Sequence, residues 1–217
     1  MRLPILAGIA VAGVLASRSL TPPPATAHAA ALPWAQAAVT WEVAGDGNVA
    51  RYRVRERLLG RDRDNDAVGE TPTLRGRIAL DAAGRVVPAG SRFSADLSQL
   101  TSDESRRDNY VRRRLLVTDS FPEATLQVTA VRNLPTPLPT SGRVSFELVG
   151  DLTVKGVTRP TTWTVTATVD GDRLTGRAAT RFTFADFQLT QPRVSIVLSV
   201  ADTIGLEYDF TMRRVAR

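Results

Sequence analysis

From Ala38 onward, apolar and polar residues alternate with a period of two. Val39, Trp41 and Val43 are separated by Thr40 and Glu42. Ala50, Tyr52 and Val54 are separated by Arg51 and Arg53. The same alternation runs through Leu74 to Leu80, Phe93 to Leu97, Leu126 to Ala130, Val144 to Val154, Trp163 to Val169, Leu174 to Phe184, Val194 to Val200 and Ile204 to Met212. Successive side chains of a strand face opposite sides, so each run predicts one apolar and one polar face. Turn-forming residues lie between the runs: Gly45-Asp46-Gly47, Ala83-Gly84, Asp170-Gly171-Asp172 and residues 135–142. About ten short strands at hairpin spacing, with almost no helix, predict an antiparallel barrel or sandwich.

One helix is expected, over residues 102–115. Thr101 followed by Glu104 forms a capping-box signature. Asp103 and Glu104 fall in its first turn and Arg112 to Arg114 in its last, where the helix dipole favours each sign. The arginine cluster is thereby accounted for without a ligand. Long in-register runs and mid-strand glycines at Gly76, Gly150, Gly176 and Gly205 favour a barrel, whose strands must bend around an axis. Periodicity does not separate a filled core from a hollow one, and that alternative stays open at this point.

The N-terminus reads as a targeting segment. Arg2 precedes an uncharged apolar stretch, Leu3 to Ala16, of signal-peptide length and short for a membrane span. Ala25-Thr26-Ala27 and Ala27-His28-Ala29 are small-x-small sites, and Pro22, Pro23 and Pro24 form an extended spacer. The expected organisation is a signal peptide or uncleaved anchor over 1–31, a linker over 32–37 and a barrel domain over 38–217. Either form of leader places the domain outside the cytoplasm, in the periplasm or secreted.

Composition removes much conventional chemistry. The 217 residues are 43% hydrophobic and 23% charged, with no cysteine and one histidine, His28, in the leader. A thiol nucleophile, a disulfide framework, cysteine-ligated metal and a Ser-His-Asp triad are therefore not available to the domain. The net charge is +6 and Lys155 is the only lysine among 28 basic residues. Such an arginine bias is that of a high-GC genome, and the arginines are dispersed. No nucleic-acid partner is expected.

Three features are candidates for chemistry. Asp62, Asp64 and Asp66 resemble a calcium loop, but Ala67 and Thr73 occupy the positions where such a loop needs Gly and Glu. With arginines interleaved they read as a solvated turn. Glu104 and Asp108, four apart on the helix, form a candidate acid–base pair beside an Asp103–Arg107 ion pair. Surface helix charge is the plainer reading. Lys155 sits beside Gly156 in an expected turn, where a Schiff-base role is not supported. No metal or cofactor is expected.

Two segments carry a family resemblance: GDLTVKGVTRP over Gly150 to Pro160, and TSDESRRDNY with DSFPEATLQV over Thr101 to Tyr110 and Asp119 to Val128. FTFADFQL, Phe182 to Leu189, adds to them. Together they resemble the YceI-like family of bacterial polyisoprenoid-binding proteins, over about Val39 to Met212. The resemblance implies an all-β, eight-stranded antiparallel lipocalin-like barrel with one accessory helix. It also implies an apolar tunnel for one long isoprenoid chain and an extracytoplasmic location. Arg107 and Asp108 match the family's helix motif, whereas Tyr110 stands where histidine is common. Thr183 and Gln188 depart from its closing motif. Residues Gly60 to Thr71 resemble a branch with a longer first loop.

The hydrophobic effect alone is sufficient for such binding. At roughly 0.8 kcal/mol per buried CH₂, about twenty carbons contribute on the order of 16 kcal/mol gross. Association and chain ordering cancel half or more, which leaves about micromolar affinity. The expected lining is the face bearing the large side chains: Tyr52, Val54, Phe93, Val128, Phe146, Trp163, Val165, Phe182, Tyr208 and Phe210. The expected function is non-enzymatic binding of an isoprenoid lipid or isoprenoid quinone, for transport, storage or sequestration. The alternatives are a hydrolase or isomerase using Glu104 or Asp108, and a structural module filled by its own core. Contact with a membrane surface and homodimerisation through an unpaired strand edge stay open.

Overall fold

The computed structural model describes residues 39–60, 62–193 and 197–215. The expected leader and linker, Val194 and Ile196 lie outside the described residues. The chain forms β1 (Val39–Val43), β2 (Val49–Leu58), β3 (Asn65–Thr71), β4 (Leu74–Leu80), β5 (Arg92–Asp96) and β6 (Thr101–Ser102). A helix, α1 (Ser105–Tyr110), then continues as a π-helical turn over Val111–Leu116. It is followed by β7 (Glu123–Arg132), β8 (Ser141–Val154), β9 (Val157–Asp170), β10 (Arg173–Thr183) and β11 (Val197–Val215).

These segments assemble as eight long strands. β1 pairs with β4 and β2 pairs with β3, so residues 39–58 and 65–80 form one antiparallel hairpin, interrupted midway. β5 pairs with β4 and β6 with β3, which makes residues 92–102 the third long strand. β7 to β11 continue the meander, each pairing with the next. β11 then pairs with both β2 and β1 and closes the ring. The result is a closed antiparallel eight-stranded barrel with one helix. The helix is inserted between the third and fourth long strands.

Closure requires close approaches that a side chain would obstruct. A β-carbon at Gly76 or Gly150 would lie 2.5 Å from the carbonyl oxygen of Arg92 or Gln127 on the neighbouring strand. Gly150 stands opposite Val128, where β7 is bulged against β8.

One end of the barrel is packed solid. Trp41, Leu80, Val128, Val144, Ala167 and Val169 are buried together there. The opposite end carries α1, the β2–β3 turn, the β8–β9 turn and the segment joining β10 to β11.

The structure corrects four local expectations. The helix begins at Ser105, not 102, because Thr101 and Ser102 pair with β3 as β6. No capping box forms, since the N-cap is Glu104, whose carboxylate accepts from Arg106 N at 3.1 Å. The Gly60 to Thr71 segment is mostly strand β3. It was invisible to the alternation because its partners on β2 are held partly by charge: Arg53 and Arg55 donate to Asp66. The two C-terminal runs are one strand, β11, with register shifts at Val197/Ser199 and Val200/Ile204. A bulge exchanges the faces of a strand, so Val197 faces inward while Leu198 is 57% exposed.

Candidate binding cavity

Above the packed end the barrel is hollow. The cavity measures about 790 Å³, in the upper part of the range of roughly 300–1,000 Å³ for small-molecule sites. Apolar side chains from nearly every strand line it.

Nine of the ten residues expected on this face line the cavity. Tyr52 and Val54 enter from β2, Phe93 from β5 and Phe146 from β8. Trp163 and Val165 enter from β9, Phe182 from β10, and Tyr208 and Phe210 from β11. Val128 does not. It is fully buried in the packed end, on the same face of β7 as Leu126, which does line the cavity. The boundary between plug and hollow falls between these two residues.

The aromatics are mutually positioned. Phe93 meets Tyr208 edge-on at 6.4 Å, and Tyr208 is tilted against Phe210 at 5.7 Å. The Tyr208 hydroxyl donates to Asn48 Oδ1 at 3.2 Å, and burial pushes its pKa upward. Tyr52 is also pushed up, to about 12, first by burial. Its ring lies across Gly69, where a β-carbon would fall 2.6 Å from Cζ.

The helix is the lid of the hollow. Tyr110, Val111, Leu115 and Leu116 face the cavity, and none of them is among the ten residues expected to line it. The spacing of Val111 and Leu115, four apart, is the amphipathic signal that marks this helical face. The helix is held by polar contacts at its start. Arg107 Nη2 donates to Glu56 at 2.9 Å and Nη1 to Asp103. Asn65 Nδ2 donates to Glu56 Oε1 at 3.3 Å. Burial alone lowers the Arg107 pKa, but Asp103 and Glu56 outweigh it and raise it overall.

Glu104 and Asp108 do not form a converging pair. Glu104 caps the helix. Asp108 is buried, accepts from Ser102 Oγ at 2.6 Å and does not line the cavity. Asp64 and Asp66 face arginines of β2, and no cluster of metal-ligating side chains occurs among the described residues. Lys155 and Gly156 form the two-residue turn between β8 and β9, both with positive φ. In the closing segment, Phe184 and Leu189 line the cavity and Phe187 packs edge-on against Phe182 at 4.5 Å. Asp186 accepts from Thr183 N and Oγ1 at 2.7 and 2.8 Å. The backbone hydrogen bond, followed by that hydroxyl, holds its carboxyl below the usual range. Thr183 and Asp186 thus fasten a turn, and Gln188 lies exposed beside it.

Solved structures share this architecture. A polyisoprenoid binding domain from Saccharophagus degradans, implicated in plant cell wall breakdown, matches with a TM-score of 0.59 at 12% identity, over 80% of this chain and 97% of that one. Burkholderia cenocepacia BcnA matches with a TM-score of 0.53 at 16% identity, over 75% and 95%. The Campylobacter jejuni YceI protein matches with a TM-score of 0.53 at 14% identity, over 74% and 90%. No curated protein matches the sequence. The family model of the YceI-like domain matches residues 41–212. On that match, which takes in all eight long strands and the helix, the chain belongs to the YceI-like domain family.

Proposed function

We propose that this protein binds a long isoprenoid chain, of a polyisoprenoid or an isoprenoid quinone, in the barrel cavity without transforming it. The binding serves transport, storage or sequestration outside the cytoplasm. The observation that carries the reading is the cavity of about 790 Å³ lined by apolar side chains from the strands and the helix. Burial of hydrocarbon there supplies the affinity, and no polar contact is required for it. A structural relative described as a polyisoprenoid binding domain supports the same ligand class. The candidate acid–base pair, Glu104 and Asp108, does not converge on the cavity, which supports binding over acid–base catalysis by these two residues. The extracytoplasmic role rests on the leader-like composition of residues 1–31.

Exposed apolar side chains at the open end support contact with a membrane during loading. Leu59, Leu198 and Phe121 are three of the four exposed large hydrophobic residues among those described, and Leu59 follows the β2 residue, Leu58, that pairs with Val197 beside Leu198. The test is native mass spectrometry of the full chain, followed by lipid extraction. A co-purifying isoprenoid is expected. Protein that carries no lipid and takes up none from isoprenoid-loaded vesicles would refute the reading.

A further inference from the structure

We infer that residues 101–116, the short strand β6 with α1 and its π-helical turn, form a gate in the barrel wall that swings out about Val117 to pass the ligand. The inference rests on the isoprenoid reading above and adds the route by which the chain enters.

The wall is breached where this segment lies. β5 pairs with β4 on one side and β7 on the other, and Asp96 stands opposite Glu123. Beyond that level β6 pairs with β3 alone, through Gly69–Ser102 and Glu70–Thr101. No ladder joins β6 to β7 among the described residues. So short a pairing is a low-stability element of the ring, of the kind that opens locally. The breach gives onto the hollow. Leu97 and Leu100 line the cavity ahead of β6, and Val111, Leu115 and Leu116 line it from the helix that covers the gap. Apolar packing, in place of main-chain hydrogen bonds, seals the wall here.

The segment is tied together within and lightly held from outside. Ser102 Oγ donates to buried Asp108 at 2.6 Å, which joins β6 to α1 as one piece. Its side-chain hydrogen bonds to the rest of the barrel are Arg107 to Glu56, at 2.9 Å, and Arg112 to the Ser98 carbonyl, at 3.3 Å. The Arg107–Glu56 pair is enclosed, with side-chain exposures of 17% and 7%. At the far end Val117 terminates the helix with φ 54° and ψ 55°. That left-handed position usually falls to glycine, and a β-branched residue held there is strained. Swinging out returns Val117 to ordinary backbone. The closed gate is thus a latch, Arg107 on Glu56, set against a spring.

The sequence contains no cysteine, so a single disulfide can be installed alone. Glu70→Cys with Thr101→Cys places it between exposed Cα partners of β3 and β6, within cross-strand reach and outside the cavity lining. Stopped-flow mixing of the full chain with menaquinone-4, read by quenching of Trp163 in the cavity, measures uptake. The oxidised protein is expected to take up the quinone at least about tenfold more slowly than the same protein reduced. Val117→Gly relaxes the spring without touching the lining, and should slow uptake and release alike by about threefold to tenfold. Glu56→Gln weakens the latch and should speed both by about fivefold, whereas loss of a mere ligand contact would change release alone. Amide exchange over residues 106–116 of the unliganded proteins should follow the same order. Equal uptake in the oxidised and reduced forms, or exchange indifferent to the disulfide and to Val117→Gly, overturns the gate and leaves isoprenoid binding standing. If menaquinone-4 enters none of the proteins while exchange obeys the variants, the isoprenoid reading falls and the gate remains.

Discussion

Arg51 on β2 and Asp209 on β11 are ion-paired across the seam that closes the barrel, although 158 residues separate them in sequence. Arg177 on β10 grips the same carboxylate from the other side, through Nε at 2.6 Å and Nη2 at 3.1 Å. The arginine run of β2 is thus a cross-strand ladder: Arg51 to Glu70 and Asp209, Arg53 to Asp66 and Glu207, and Arg55 to Asp64 and Asp66.

That carboxylate sets an acid-dependent part of stability. The hydrogen bond from Arg177, with the further bond from Arg51, holds the Asp209 pKa below its ordinary value. A group depressed in the folded state contributes stability above its unfolded pKa of about 3.9 and loses it as pH falls through the folded value. Asp209→Asn should therefore destabilise the protein at pH 7 by about 1 kcal/mol. The difference should shrink towards pH 3 and below. Denaturant titrations of both proteins across pH check it, and a difference independent of pH contradicts the assignment.

Val165 and Ala178 face each other directly across β9 and β10, and both line the cavity. A bulkier side chain there occupies the hollow. Val165→Trp should abolish uptake of an isoprenoid chain at a stability cost of about 1–3 kcal/mol. Lipid analysis beside thermal unfolding separates the two effects. A folded Val165→Trp protein that carries the same lipid load shows that this face does not hold the chain.

Gly69 makes room for the Tyr52 ring. Gly69→Val should push that ring off β3 and weaken binding of an isoprenoid chain by about tenfold or more. The near-ultraviolet tyrosine signal should change with it. Wild-type affinity in Gly69→Val would mean that the ring's seat does not matter for the ligand.

At the β8–β9 turn, Lys155 holds a φ of 49° in a position that asparagine or glycine adopts more readily. Lys155→Asn should raise stability by about 0.5–1 kcal/mol. An upward shift in Tm with unchanged lipid content is the expected result, and a downward shift counts against the turn geometry.

Leu59 and Leu198 are both exposed at the open end. Their joint replacement by aspartate should slow transfer of lipid from anionic vesicles at least about tenfold, since both hydrophobic insertion and charge attraction are lost. Chain affinity in detergent should be retained. Equal transfer rates would exclude this rim from the encounter.

The barrel strands were legible wherever one face was apolar and the other wet. Val144 to Val154 reads as a single strand and is one, β8. β3 was not legible, because Asp66 and Glu70 are satisfied by arginines on β2, and such partners follow from topology, not from spacing. The helix start moved for a related reason: Thr101 and Ser102 have a strand partner in β3 that outweighs a capping box. The face bearing the cavity was readable from its large side chains. Its extent was not, since Leu126 and Val128 are equivalent by alternation and are separated only by how densely the far end fills. Tyr110 acquires its place in the lining from the insertion of α1 over the mouth.

β11 serves two neighbours on one of its edges, β2 along residues 197–209 and β1 along 212–215, while β10 occupies the other. Until that last ribbon is laid in, three others keep raw margins of unsatisfied amide and carbonyl groups, open to any stray chain in extended form. The ring cannot close before its final stave is fitted. A chain stopped just short of Val197 would lack that ribbon altogether and leave an open, sticky sheet in place of a smaller container.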